Sequence, residues 1–146
     1  MSNTLVRLSI ALAAINTTGM AAYHFFLPRL WGWDTVLVNM PPAIRWASHS
    51  INFFFSFFLI CGGILTFLSL RGDAWRLSQH RALFVVMGGF WATNLIYQLV
   101  DPLPLPPSMA IMRVGFVGFA ALTCLAYAVP LVAAMRAPRT AERMSS

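Results

Sequence analysis

Hydrophobic positions run along this chain in four long blocks. The blocks cover about residues 5–27, 44–70, 82–100 and 109–135, with Pro, Arg and Asp residues between them. A helix needs roughly 20 apolar residues to cross the hydrocarbon core of a bilayer, and each block is close to or above that length. The blocks lack the alternation of apolar and polar positions that is typical of strands in a membrane barrel. The pattern therefore predicts an all-α bundle of four transmembrane helices.

Short connections join the blocks, so we expect one four-span membrane domain over residues 1–146 and no soluble domain. The chain begins like a signal peptide, with one Arg before an apolar stretch, but the apolar run continues through Met20 to Leu27. We therefore expect a retained first span. Residues 137–146, with the sequence APRTAERMSS, are predicted to form a short polar tail.

Composition and charge agree with a membrane protein. The chain is 59% hydrophobic and 10% charged, whereas soluble domains carry about 25% charged residues. Its net charge of +6 comes from ten arginines against four acidic residues, with no lysine. No basic patch is interleaved with aromatic residues on a soluble surface, so we expect no nucleic-acid partner.

The arginines predict an orientation. Most of them fall on the side of the bundle that holds both termini and the middle loop, namely Arg7, Arg71, Arg76, Arg81, Arg136, Arg139 and Arg143. Arg29, Arg45 and Arg113 remain for the opposite side. Because positively charged loops stay in the cytoplasm, both termini are predicted to be cytoplasmic. The expected location is the bacterial inner membrane.

Polar residues interrupt the second block in the stretch RWASHSINFFFSFFL, residues 45–59. On a helix, one narrow face holds Arg45, His49, Asn52, Ser56 and Gly63, while Phe54 and Phe58 lie on the opposite face. Polar groups inside a membrane turn toward protein or water. We therefore expect the polar face to point into the bundle and the Phe face to point toward lipid.

Polar residues of all four predicted spans recur at one depth, in the outer half of the membrane. An intramembrane polar residue is a functional-site hypothesis by default, and a cluster at one level strengthens it. The candidate ligand-binding residues are His24, His49, Asn52, Asn94, Gln98, Asp101 and Arg113. Arg113 is expected to point toward the bundle, within reach of Asp101 or of the proline-rich loop at residues 101–108.

Three interpretations of this cluster stay open. The side chains can be interhelical hydrogen-bond partners that only stabilise the bundle. They can line a ligand pocket that opens on the outer side. His24 and His49 can supply bis-imidazole ligation to a haem, although no local ligand spacing supports this. The sequence assigns no cofactor.

Catalytic signatures are missing from the sequence. It contains no HExxH, no GxSxG and no paired carboxylates, and it has four acidic residues in all. We predict no catalytic residue and no metal site, which favours a protein that is not an enzyme.

One family resemblance is carried by YHFFLPRLWGWD at the end of the first span and by Pro41–Pro42 at the entry to the second. With four spans in so short a chain, the layout resembles the DoxX-like and related small four-helix membrane proteins. The resemblance implies a four-helix membrane fold. One branch of that group is implied to act as a small membrane subunit of a thiosulfate:quinone oxidoreductase, but no residue role is carried over.

The expected function is that of a non-catalytic accessory or scaffolding subunit of a larger respiratory or photosynthetic membrane complex. Glycines that permit close helix approach support it; they are Gly62–Gly63, Gly88–Gly89, and Gly115 with Gly118. The expected partners are membrane lipid and other integral membrane subunits, with a pigment or quinone as a possible ligand. The alternative is a small binding or redox module that holds a quinone-like ligand or haem in the outer polar cluster.

Overall fold

The computed structural model of this protein describes residues 2–71 and 74–136. For residues 74–76 it describes the backbone only. The described residues form helices and connections, without strands. The helices are α1 (Asn3–Leu30), α2 (Trp33–Val36), α3 (Pro42–Leu68), α4 (Arg81–Val100) and α5 (Ala110–Arg136). Four of them, all except α2, are long and apolar enough to cross a membrane. The predicted all-α fold is confirmed, with four helices of the length and apolar composition that a membrane span requires. The predicted tail at residues 137–146 lies outside the described residues.

The helix ends differ from the predicted ones by a few residues. Helix α1 begins after Ser2, whose hydroxyl accepts a hydrogen bond from the backbone N–H of Leu5 at 3.3 Å, as N-cap serines do. It continues past Leu27 and includes Pro28 in its last turn. The connection after Asp101 is extended and then forms a short 3-10 turn at Pro107–Met109, because proline fixes φ and cannot continue a helix.

Successive long helices are antiparallel. Near the start of α3, Asn52 contacts His24 late in α1, whereas Gly63 late in α3 lies against Thr18, earlier in α1. The start of α4 meets the end of α5, where the guanidinium of Arg81 donates to the carbonyl of Ala134 at 3.2 Å. The bundle therefore has a termini end, which includes residues 69–71 and 74–80, and a loop end, which includes residues 31–41 and 101–109.

Close helix packing occurs where two of the predicted glycines lie. A Cβ atom on Gly63 would overlap the hydroxyl of Thr18 and would lie 3.2 Å from its backbone nitrogen, and one on Gly62 would overlap the side chain of Met87. A Cβ on Gly88 would lie 3.4 Å from the Cβ of Tyr127, an ordinary contact distance. At Gly89, Gly115 and Gly118 a Cβ would meet no described atom within 4 Å, so no close approach between helices of the described part of the chain occurs there.

The predicted polar and aromatic faces of α3 are confirmed except at Arg45, which is exposed near the start of the helix and does not point into the bundle. Asn52 and Ser56 are buried in the bundle, while the side chains of Phe54 and Phe58 are 67% and 41% exposed. Large apolar side chains also cover the outside of the other long helices. Such an outer surface is costly in water and natural in lipid.

Candidate functional site

A cavity of about 490 Å³ opens at the loop end of the bundle. Its walls come from α1, α3, α4, α5, the region of α2 and the extended connection after α4. Aromatic rings make up much of the wall: Tyr23, Trp31, Trp33, Phe55, Phe90, Trp91, Tyr97 and Phe116. Its other polar lining residues are His24, Asn94, Gln98 and Asp101. Volumes of about 300–1,000 Å³ with apolar walls and a few polar groups are typical of small-molecule sites.

His24 is held in this wall by Asn52. Pro28 lies four residues after His24 and has no backbone N–H, so it cannot donate the helical hydrogen bond that the His24 carbonyl would otherwise accept. The side-chain nitrogen of Asn52 donates to that carbonyl instead, at 2.7 Å. The side-chain oxygen of Asn52 then contacts Nδ1 of His24 at 3.1 Å. Asn52 thus engages both the backbone and the ring of His24.

This double contact fixes the orientation of the Asn52 amide and the tautomer of the ring. A carbonyl only accepts, so the amide group that faces the His24 carbonyl must be the NH₂. The amide oxygen consequently faces Nδ1, which has to carry the hydrogen. In a neutral imidazole the second nitrogen then carries a lone pair and acts as an acceptor. Among the described residues, no hydrogen bond occupies Nε2 of His24.

Asn94 and Gln98 form a second polar pair in the wall, one turn apart on α4. The side-chain nitrogen of Gln98 donates to the side-chain oxygen of Asn94 at 2.6 Å. One amide NH₂ and one amide oxygen of the pair remain available, whichever way round the two amides are assigned. The pair can therefore both donate to and accept from a bound molecule.

A charged group lies on the same helix at the loop end. Asp101 accepts a hydrogen bond from the hydroxyl of Tyr97 at 3.0 Å, and both side chains are exposed. None of the described residues that line the cavity is Arg or Lys. The site is thus neutral to slightly acidic.

The structure brings together part of the predicted cluster. His24, Asn94, Gln98 and Asp101 line the cavity, and Asn52 lies behind His24 as its partner. His49 does not line the cavity; its ring packs edge-on against Trp33, with ring centroids 5.3 Å apart. Because His24 is the single histidine among the described lining residues, bis-imidazole ligation of one haem by His24 and His49 does not fit this site.

Arg113 is also outside the cavity wall. Its Nη2 donates to the carbonyl of Leu105 at 3.3 Å, and its Nε is buried without a partner in the described part of the chain. The expectation that Arg113 points to the proline-rich loop is therefore confirmed. The alternative contact with Asp101 is not formed among the described residues; that carboxylate accepts from Tyr97.

We expect Arg113→Ala to lower the thermal unfolding midpoint in detergent, by the equivalent of about 1–2 kcal/mol, because the carbonyl of Leu105 loses a charged donor. Arg29→Ala is the matched control, since Arg29 is exposed in the last turn of α1. Equal midpoints for the two variants would contradict a stabilising contact between Arg113 and the loop.

A second polar network, missed from the sequence, lies deeper in the bundle than the cavity. It joins one side chain from each long helix: Thr17, Thr66, Trp91 and Tyr127, all buried. Nε1 of Trp91 donates to Oγ1 of Thr17 at 3.1 Å. The hydroxyl of Tyr127 lies 3.0 Å from Oγ1 of Thr17 and 3.0 Å from Oγ1 of Thr66. The hydroxyl of Thr66 donates to the carbonyl of Gly62 at 2.7 Å.

One arrangement of hydrogens satisfies every contact of this network. Thr66 gives its hydrogen to Gly62, so it must accept from Tyr127, and Tyr127 must in turn accept from Thr17. Donation therefore runs in one direction across the four helices, from Trp91 through Thr17, Tyr127 and Thr66 to a backbone carbonyl. Such chains strengthen each member, and an unpaired polar group in their place would be costly in lipid.

A sequence signal for this network does exist. Asn16, Thr17 and Thr18 are three consecutive polar residues in the middle of the first apolar block, and Tyr127 lies in the middle of the fourth. Isolated Thr and Tyr residues are common in spans, so position alone does not identify partners. Asn16 also bonds across the bundle, donating to the hydroxyl of Thr123 at 2.9 Å.

The fold and the cavity together are those of a multi-pass helical membrane protein with a small-molecule-sized opening at one end. No family model, curated protein or solved structure matches the chain. Any functional assignment therefore has to be supported by the geometry of the cavity itself.

Proposed function

We propose that this protein is a small integral membrane protein that binds an amphipathic, ring-bearing molecule of the quinone type in the loop-end cavity. The observation that carries the proposal is the cavity of about 490 Å³, which has aromatic walls and a few polar groups. An aromatic wall favours a flat ring, and neutral hydrogen-bonding side chains favour an uncharged polar head group.

Charge and location support the same class of ligand. The described lining residues offer one carboxylate and no Arg or Lys, which disfavours anionic molecules. The cavity lies at one end of four helices that are apolar enough to span a bilayer. A molecule with a polar head and an apolar tail would reach this level from within the membrane.

The arginine distribution supports an orientation for this site. Positively charged segments stay in the cytoplasm, and the termini end carries most of the arginines in the described part of the chain. In the proposed arrangement, both termini are cytoplasmic, the protein resides in the bacterial inner membrane, and the cavity opens on the outer side.

Calorimetric titration tests the proposal. The purified protein in detergent is titrated with a decyl-substituted benzoquinone and, under anaerobic conditions, with the corresponding hydroquinone. We expect saturable, one-to-one binding of at least one form. Asn94→Phe is expected to weaken it by about tenfold or more, because the larger ring fills the cavity and removes a polar group.

The matched control is Leu99→Phe, which adds a ring to an exposed position on the same helix. It should bind as the unaltered protein does. Absence of saturable binding of both forms would overturn the proposal, as would equal binding by Asn94→Phe and Leu99→Phe.

A second candidate function is that of an accessory subunit in a respiratory or photosynthetic membrane complex. This role is favoured by Gly115 and Gly118, which are exposed on α5. A Cβ atom added at either position would have no described atom within 4 Å, so the surface there is open. Small residues on a lipid-facing helix permit close approach by a second helix. After mild extraction, a stoichiometric partner should co-purify with the unaltered protein and be lost from a Gly115→Ile, Gly118→Ile variant. A solitary protein would contradict this role.

A further inference from the structure

The position of the hydrogen on the His24 ring narrows the chemical class of the ligand. Pro28 leaves the His24 carbonyl free, Asn52 donates to that carbonyl, and the Asn52 oxygen therefore requires a hydrogen on Nδ1 of the ring. Each step depends on a group that can act in one way only, a carbonyl that accepts or a proline that lacks its N–H.

The surroundings of the ring favour its neutral form. Phe55 packs edge-on against it, with ring centroids 4.5 Å apart, and Tyr23 lies on another side at 5.6 Å. A cationic imidazole at this position would lose hydration, and among the described residues no carboxylate forms an ion pair with it. His24 lines the cavity, and its Nε2 is not among the fully buried unpaired atoms of the described residues. In the neutral ring, Nε2 carries a lone pair that can only accept a hydrogen bond.

On this basis we infer that the cavity selects molecules that carry a hydroxyl group on an aromatic ring, phenols or hydroquinones, over the corresponding quinones. The inference rests on the proposed function and specifies its ligand. A ring hydroxyl can donate a hydrogen bond to Nε2 of His24. A quinone carbonyl is itself an acceptor, so its lone pairs would repel the lone pair of that nitrogen. Asn94 and Gln98 do not discriminate, because the pair keeps both a donor and an acceptor.

In this scheme Asn52 is a positioning residue. It is buried behind His24 and is not among the residues that line the cavity. Its role is to hold the hydrogen of His24 on Nδ1, as the hydrogen-bond partner of a metal-bound histidine does in other proteins. No bond is made or broken in this step; the site discriminates by the direction of one hydrogen bond.

The test compares three probes on the unaltered protein: a decyl-substituted hydroquinone, its quinone, and its dimethyl ether. We expect the hydroquinone to bind at least about tenfold more tightly than either of the others, because each of them leaves a buried acceptor unpaired. Calorimetry under anaerobic conditions measures the three dissociation constants. This comparison requires no variant and so does not depend on whether a variant folds.

Two histidine variants test whether His24 is the residue that causes the preference for hydroquinone over quinone. His24→Gln is expected to bind hydroquinone and quinone with similar affinity, because a glutamine amide both donates and accepts. His49→Gln should keep the full preference, since His49 packs against Trp33 outside the cavity wall. An unchanged preference in His24→Gln would overturn the inference.

The role of Asn52 is tested by NMR measurement of the His24 tautomer. In protein labelled with ¹⁵N-histidine, the shifts of His24 should show hydrogen on Nδ1, and Asn52→Leu should shift the ring toward a mixture of tautomers while the preference for hydroquinone falls. Hydrogen found on Nε2 in the unaltered protein would overturn the inference.

The outcomes separate the two proposals. Equal, saturable binding of hydroquinone and quinone would leave the proposed function standing and overturn the inference. Failure of both to bind would overturn the proposed function together with the inference that rests on it.

Discussion

Trp91→Ala is expected to lower the free energy of unfolding by about 3–5 kcal/mol, the usual range for removing a buried tryptophan. The side chain of Trp91 is 1% exposed, and its ring packs edge-on against Phe119 with centroids 5.6 Å apart. Its N–H begins the hydrogen-bond chain that passes through Thr17. The substitution therefore leaves a large void. It also removes the indole N–H, which is the first donor of a hydrogen-bond network that connects four helices. Thermal or denaturant unfolding in detergent measures the loss.

Two further variants separate packing from hydrogen bonding. Trp91→Phe keeps much of the ring volume but removes the N–H, so it should cost about 1–2 kcal/mol. Trp46→Ala removes a tryptophan that is 72% exposed and should change stability little in detergent. If Trp91→Ala were as stable as Trp46→Ala, the placement of Trp91 at the centre of the bundle would be wrong.

Gly63→Ala is expected to destabilise the protein by about 1–3 kcal/mol through overpacking. A methyl group at this position meets the hydroxyl of Thr18 and, at 3.2 Å, the backbone nitrogen of the same residue. The hydroxyl can rotate away, but the backbone of α1 can yield only by moving the helix. The unfolding midpoint of the variant in detergent measures the effect.

The chain offers a graded set of controls for this substitution. Gly62→Ala should cost less than Gly63→Ala, because it meets Met87, a flexible side chain that can adapt. Gly118→Ala meets nothing and should be neutral or stabilising by up to about 1 kcal/mol, since alanine favours the helix. A uniform response at all three positions would contradict the close packing of α1 on α3.

The candidate site could be predicted from the sequence in part. Depth along each span is a local property, so the polar level that includes His24, Asn94, Gln98 and Asp101 could be located by counting residues. Rotation about the helix axis relative to distant neighbours is not local. For that reason the sequence groups His49 with the cluster, although its ring packs against Trp33, and it does not identify Thr17 and Tyr127 as partners.

What the sequence by itself determined is the number, position and approximate length of the four spans, together with the inward face of α3. These follow from hydropathy and helical period, because lipid requires long apolar helices and directs polar side chains inward. The tertiary structure alone decided which polar groups meet. Asn52 contacts both the backbone carbonyl and the ring of His24. One chain of hydrogen bonds joins Trp91, Thr17, Tyr127 and Thr66. It also decided that the loop end of the bundle encloses a cavity. These contacts join residues far apart in sequence, and they depend on the tilt, rotation and register of packed helices, which no single segment specifies.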